Sequence, residues 1–110
     1  MIFVTGPLYA GKREYIRNAL SLSEAEFASR AVWDVQDLAP GADLPALAEK
    51  LSGKDIVIAA EIGGGLVPVD RGEREKREAA GRLACLLADR ADTVVRVCCG
   101  LGQVLKGELP

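Results

Sequence analysis

Apolar and polar positions along this chain fall into blocks that switch between two periods. Residues 2–5, Ile-Phe-Val-Thr, form a short apolar run that predicts a buried strand. From Lys12 to about Leu20 the spacing turns helical, with Tyr15, Ile16, Ala19 and Leu20 on one stripe. Ser23 with Glu26 three residues on has the form of a capping box and predicts a short second helix. Residues 31–35 predict a second strand, and Pro40-Gly41 marks a loop. Asp43 is placed to cap a helix over residues 44–51, which Gly53 ends. Residues 55–61, Asp-Ile-Val-Ile-Ala-Ala-Glu, are almost continuously apolar, the pattern of a strand buried on both faces of a parallel sheet. Gly63-Gly64-Gly65 and Pro68 read as a loop. A long helix is expected over residues 71–90, with Ala80, Leu83, Ala84 and Leu87 facing the core. Residues 93–99 predict the last major strand, Gly100-Leu101-Gly102 a turn, and residues 103–106 an edge strand.

Strands alternating with helices predict an α/β fold, a mostly parallel sheet flanked by helices. A chain of 110 residues without repeats or low-complexity segments reads as a single domain, 1–110. Apolar residues make up 49% and charged residues 27%, ordinary for a globular protein. The net charge of −2 gives no ground for a nucleic-acid partner or an anionic membrane surface. The apolar runs are too short to span a bilayer. The chain opens directly on a predicted strand, with neither a basic n-region nor a cleavage site. A signal peptide is therefore not expected, and a cytoplasmic location is.

The three cysteines, Cys85, Cys98 and Cys99, are odd in number and lack framework spacing, which argues against a disulfide-built domain. Cys98 and Cys99 are neighbours on a predicted strand, so their side chains are expected to face opposite ways. Buried apolar thiols are the reading that follows. The chain has no histidine. That excludes histidine as general base, metal ligand or covalent phosphate carrier.

The chemistry concentrates in the first turn of the chain. After the opening strand come Gly6-Pro7-Leu8-Tyr9-Ala10-Gly11-Lys12-Arg13, then a helix. This matches the GxxxxGK of a phosphate-binding P-loop, in which backbone N–H groups and a helix N-terminus converge on an anion. Gly6 to Arg13 are the predicted nucleotide-binding residues, with Lys12 reaching the β and γ phosphates. Pro7 lacks an N–H and removes one donor. Arg13 stands where a Ser or Thr hydroxyl ordinarily ligates Mg²⁺, and a cation there argues against the metal while offering a direct phosphate contact. The bland alternative is a glycine-rich strand-to-helix turn with an exposed lysine. Two carboxylates end predicted strands. Asp34 is a candidate to organise a metal opposite the loop, or an ordinary turn aspartate. Glu61 precedes the triple glycine at the carboxyl end of the stronger strand, where α/β sheets bind ligands. It is the better candidate to position a water or a substrate hydroxyl, or else a loop contact. In the charged segment, Arg74 with Glu78 and Glu78 with Arg82 have i,i+4 spacing and suit a solvated helix face.

Glu61-Ile62-Gly63-Gly64-Gly65-Leu66-Val67-Pro68 resembles the E-V-G-x-G-[IV]-V-P segment of the bifunctional adenosylcobinamide kinase/adenosylcobinamide-phosphate guanylyltransferase family of cobalamin biosynthesis. Arg71, Arg74, Arg77 and Gly81 fall on family positions in the helix that follows. Asp92, Val94 and Val97 fit the last strand. Gly100-Leu101-Gly102 with Lys106 resembles the family's closing segment, and residues 2–6 with Gly11-Lys12 resemble its opening one. The resemblance covers about residues 1–20 and 55–106. It implies a P-loop α/β fold, ATP or GTP as ligand, a corrinoid partner, substrate or phosphate contacts from Arg74 and Arg77, and a homo-oligomer. The departures are equally specific. The middle section is reduced to roughly residues 21–54, and the family's GMP-accepting histidine is gone, so guanylyl transfer by that route is not available. A family Asn-Gln pair becomes Ala84-Cys85. Three readings stand: a nucleotide-dependent cobinamide kinase without guanylyl transfer, a non-catalytic nucleotide- or anion-binding module, or a structural remnant whose loop binds nothing.

Overall fold

A computed structural model describes residues 1–62 and 70–110. In chain order the elements are β1 (Ile2–Pro7), α1 (Lys12–Ala19), α2 (Glu24–Arg30), β2 (Ala31–Val32), a 3₁₀ turn (Val35–Leu38), α3 (Leu44–Leu51), β3 (Ile56–Glu61), α4 (Arg71–Arg90), β4 (Thr93–Cys98) and β5 (Leu101–Lys106). Among the described residues they build one sheet in the order β2-β3-β1-β4-β5. The first four strands in that order run parallel, and β5 returns antiparallel along β4. This is the expected α/β architecture.

The register explains why the central strands are so apolar. Phe3 lies beside Val57 and Val94, and Val4 beside Ile58 and Val95. Successive side chains leave opposite faces of a strand, so these rows feed two separate cores. On one face Phe3, Val57, Ala59 and Val94 meet Ala48 and Leu51 of α3 and Leu83 and Leu87 of α4. On the other, Val4, Ile58, Val95 and Val97 meet Ile16 of α1 and Phe27 of α2. With helices on both faces, β1 and β3 have no wet side.

The helix starts follow local chemistry. Ser23 and Glu26 form the reciprocal capping box. Asp43 accepts from the Ala46 N–H, and Pro45 sits in the first turn, where no intrahelical donor is lost. Asp70 caps α4 through the Gly72 N–H. An i,i+4 pair on α4 joins Arg71 and Glu75.

Several expectations change. The second strand is only Ala31–Val32, because Asp34 takes a left-handed φ of 57° and turns the chain into the 3₁₀ turn. Asp34 therefore follows the strand rather than ending it. The turn before β5 is Cys99-Gly100, with Leu101 and Gly102 already inside the strand. Ala19 is exposed, since α1 ends there before its stripe is complete. All three cysteines are exposed rather than buried. Gly63-Gly64-Gly65 and Pro68 lie outside the described residues.

Candidate functional site

The glycine loop joins the carboxyl end of β1 to the start of α1, and two contacts fix its shape. Gly6, at φ 148°, approaches the β4 backbone so closely that a Cβ would collide with the Val97 carbonyl. Ala10, nearly buried, accepts a hydrogen bond from the Gly100 N–H at 2.9 Å. Between these anchors the loop bulges outward. Leu8 is half exposed, and Tyr9 is fully exposed at a left-handed φ of 59°. Gly11, also left-handed at φ 85°, opens α1 and supplies no side-chain cap. The starts of α2, α3 and α4 are satisfied by Ser23, Asp43 and Asp70, whereas among the described residues no side chain caps the first turn of α1.

Lys12 folds back across this loop and donates to the Pro7 carbonyl at 2.6 Å. Burial lowers its pKa, an effect opposed by the nearby charges of Asp34 and Glu61. The ammonium is thus partly stripped of water, and among the described residues no carboxylate is in direct contact with it. Beside it lies a cleft of about 620 Å³. Its walls include the loop from Leu8 to Arg13, Asp34 and Asp37 near the 3₁₀ turn, and Ile58 and Ile62. Gln36, buried in this wall, accepts from the Ala60 N–H at 2.9 Å and so pins the 3₁₀ turn to the end of β3. That bond places Asp34 opposite Lys12.

Arg13 lines the same cleft, beside Trp33. Its guanidinium lies over the Trp33 ring, 5.4 Å from the centroid, and Trp33 in turn stacks on Phe27 at 5.5 Å. Sequence reasoning missed Trp33 and Gln36. The signal for Trp33 was that it is the chain's one tryptophan, whereas Gln36, between Val35 and Asp37, gave none. Glu61 ends β3 as expected but is not a free carboxylate. Arg96 of β4 reaches across β1 and binds it with two bonds of 2.8 Å. That fork lowers the Glu61 pKa first through the hydrogen bonds, with further help from the Lys12 charge. Arg74 is exposed on the first half of α4, Arg77 is partly buried, and neither lines the cleft. Among the described residues no cluster of three or more acidic or cysteine side chains could hold a metal ion.

A family model described as cobinamide kinase / cobinamide phosphate guanyltransferase matches residues 36–105. The chain belongs to this family. The match runs from the 3₁₀ turn through α3, β3, α4 and β4 into β5. It includes the later part of the shortened stretch, residues 36–54, and leaves the glycine loop outside. A search of curated proteins finds no match. Membership of the cobinamide kinase / cobinamide phosphate guanyltransferase family places the chain among nucleotide-using proteins of cobalamin biosynthesis. No helix among the described residues is long and apolar enough to cross a membrane.

Proposed function

We propose that the loop from Gly6 to Arg13 is a P-loop that takes the phosphates of a nucleoside triphosphate, ATP or GTP. The observation that carries this reading is the uncapped start of α1 beside the partly desolvated Lys12 ammonium, both at the edge of the cleft. Orphan N–H groups and a helix dipole favour an anion there. Lys12 exchanges the Pro7 carbonyl for a phosphate oxygen. In a kinase it stabilises the transferring phosphoryl group, and Asp34, across the cleft, orients the acceptor. The acceptor is the aminopropanol hydroxyl of a cobinamide, with Arg74 and Arg77 as further phosphate or substrate contacts. The chain acts as one domain, in the cytoplasm, and assembles with copies of itself.

Arg13 would replace the metal's charge. A cation–π contact at an exposed ring is worth about 0.5–1 kcal/mol. A charge-assisted hydrogen bond is worth about 1.5–3 kcal/mol. A phosphate within reach therefore draws Arg13 off Trp33. Position 13 offers no hydroxyl to Mg²⁺, so binding without the metal follows.

Two observations favour the second reading, a non-catalytic binding module. Arg13 displaces the metal's usual ligand, and the Glu61 carboxylate is held by Arg96. Calorimetric titration with ATP and GTP, each with and without Mg²⁺, tests the site itself. Micromolar binding weakened about thirtyfold in Lys12→Ala supports it, and no binding to either nucleotide overturns it. Phosphoryl transfer from labelled nucleotide to cobinamide then separates kinase from module.

A further inference from the structure

The end of β4 carries a second cluster of reactive side chains, outside the cleft. Cys98 is the last residue of the strand, and Cys99 is the first residue of a two-residue hairpin turn. Cys99 and Gly100 have φ of 55° and 74°, the double left-handed conformation of a tight β-hairpin. In an extended strand these neighbouring side chains would leave opposite faces. The left-handed turn at Cys99 cancels that alternation. Both thiols are exposed, and their sulfurs lie 4.0 Å apart. Arg96, two residues earlier on the same strand face, carries its guanidinium beside Cys98 while it holds Glu61.

We propose that Cys98 and Cys99 form a dithiol site that binds a soft, thiophilic centre through both sulfurs. Thiolates select soft ions over the hard cations that carboxylates prefer. The exposed pair leaves the remaining positions of such a centre open to solvent or to an external ligand. The four-ligand cage of a structural zinc is not what this chain supplies, because no group of three or more ligating side chains gathers among the described residues. A trivalent centre carrying one organic substituent suits the site, needing two sulfurs and little closure of the gap between them. With phenylarsine oxide as probe, both S–H bonds break and two As–S bonds form. The arsenic-bound oxygen leaves as water with the two thiol protons, and no redox change occurs.

The test is intact-mass and affinity measurement with phenylarsine oxide on the reduced protein, using Cys85→Ser as reference. The expected result is one arsenical per chain, displaced by a vicinal dithiol and resistant to a monothiol. Joining two contacts in one ligand raises affinity by roughly 10²–10⁴-fold when both engage together. Cys98→Ser and Cys99→Ser should therefore each weaken binding about a hundredfold or more, and Cys85→Ser should leave it unchanged. Both positions are exposed at a turn, so these variants keep the fold, which circular dichroism verifies. Equal affinity in either single variant, or release of the arsenical by a monothiol, would overturn the dithiol site.

Discussion

Lys12 is the residue on which the proposed nucleotide site stands or falls. Truncating its side chain to the methyl of alanine removes one charge-assisted contact, about 2 kcal/mol or roughly thirtyfold in affinity. Calorimetry on Lys12→Ala reads this directly. Arg13 gives a different signal. It lies over the chain's one tryptophan, so phosphate that draws it away changes the emission of Trp33. Arg13→Ala should shift that emission in the free protein and abolish its response to nucleotide. Glu61 predicts a pH dependence. Its folded pKa lies below the ordinary value of 4.5 because Arg96 holds the carboxylate. Its stabilising contribution is complete above pH 4.5 and is lost as pH falls through the lower folded value. Urea midpoints for Arg96→Ala should accordingly converge on those of the native chain below that window and fall short of them above it. The pairing partner was not legible in the sequence. Glu61 and Arg96 are 35 positions apart, and only the β3-β1-β4 order brings them across one strand.

At the scale of elements, local signals worked where local chemistry decides. Ser23 with Glu26, and Asp43 before Pro45, mark helix starts because each side chain satisfies a backbone donor within its own turn. Ser23→Ala should cost about 1 kcal/mol by chemical denaturation. Strand lengths were less legible. Residues 31–35 look extended by composition, yet Asp34 turns left-handed and Gln36 reaches the Ala60 N–H. A tertiary hydrogen bond thus overrides the local preference. Gly6 reads as a loop glycine, but its absolute requirement comes from β4, whose Val97 carbonyl occupies the space of a Cβ. Gly6→Ala should destabilise by about 1–3 kcal/mol through overpacking, with the strained φ adding to it. Thermal unfolding checks this independently of nucleotide.

For the whole molecule, the sheet ends on β5, whose outer edge carries Leu101, Val104 and Leu105 exposed to solvent. An exposed apolar edge strand is a template for pairing, and Lys106 is the one charge within it. The proposed self-association is expected to use this edge. Leu101→Lys with Leu105→Lys should lower the mass measured by sedimentation. An unchanged mass would place the contact elsewhere.

The sequence by itself determined the alternation of strands and helices, the glycine loop at the first strand end, the helix caps and the family motifs. All of these are written in periods, spacings and contacts within a few residues. Tertiary structure alone decided the pairings between distant side chains: Arg13 over Trp33, Arg96 on Glu61, Gln36 on β3. It also decided that the thiols of Cys98 and Cys99 stand together in solvent. Thiols are apolar enough to read as core, and only the hairpin at the sheet edge shows that no second layer among the described residues covers them.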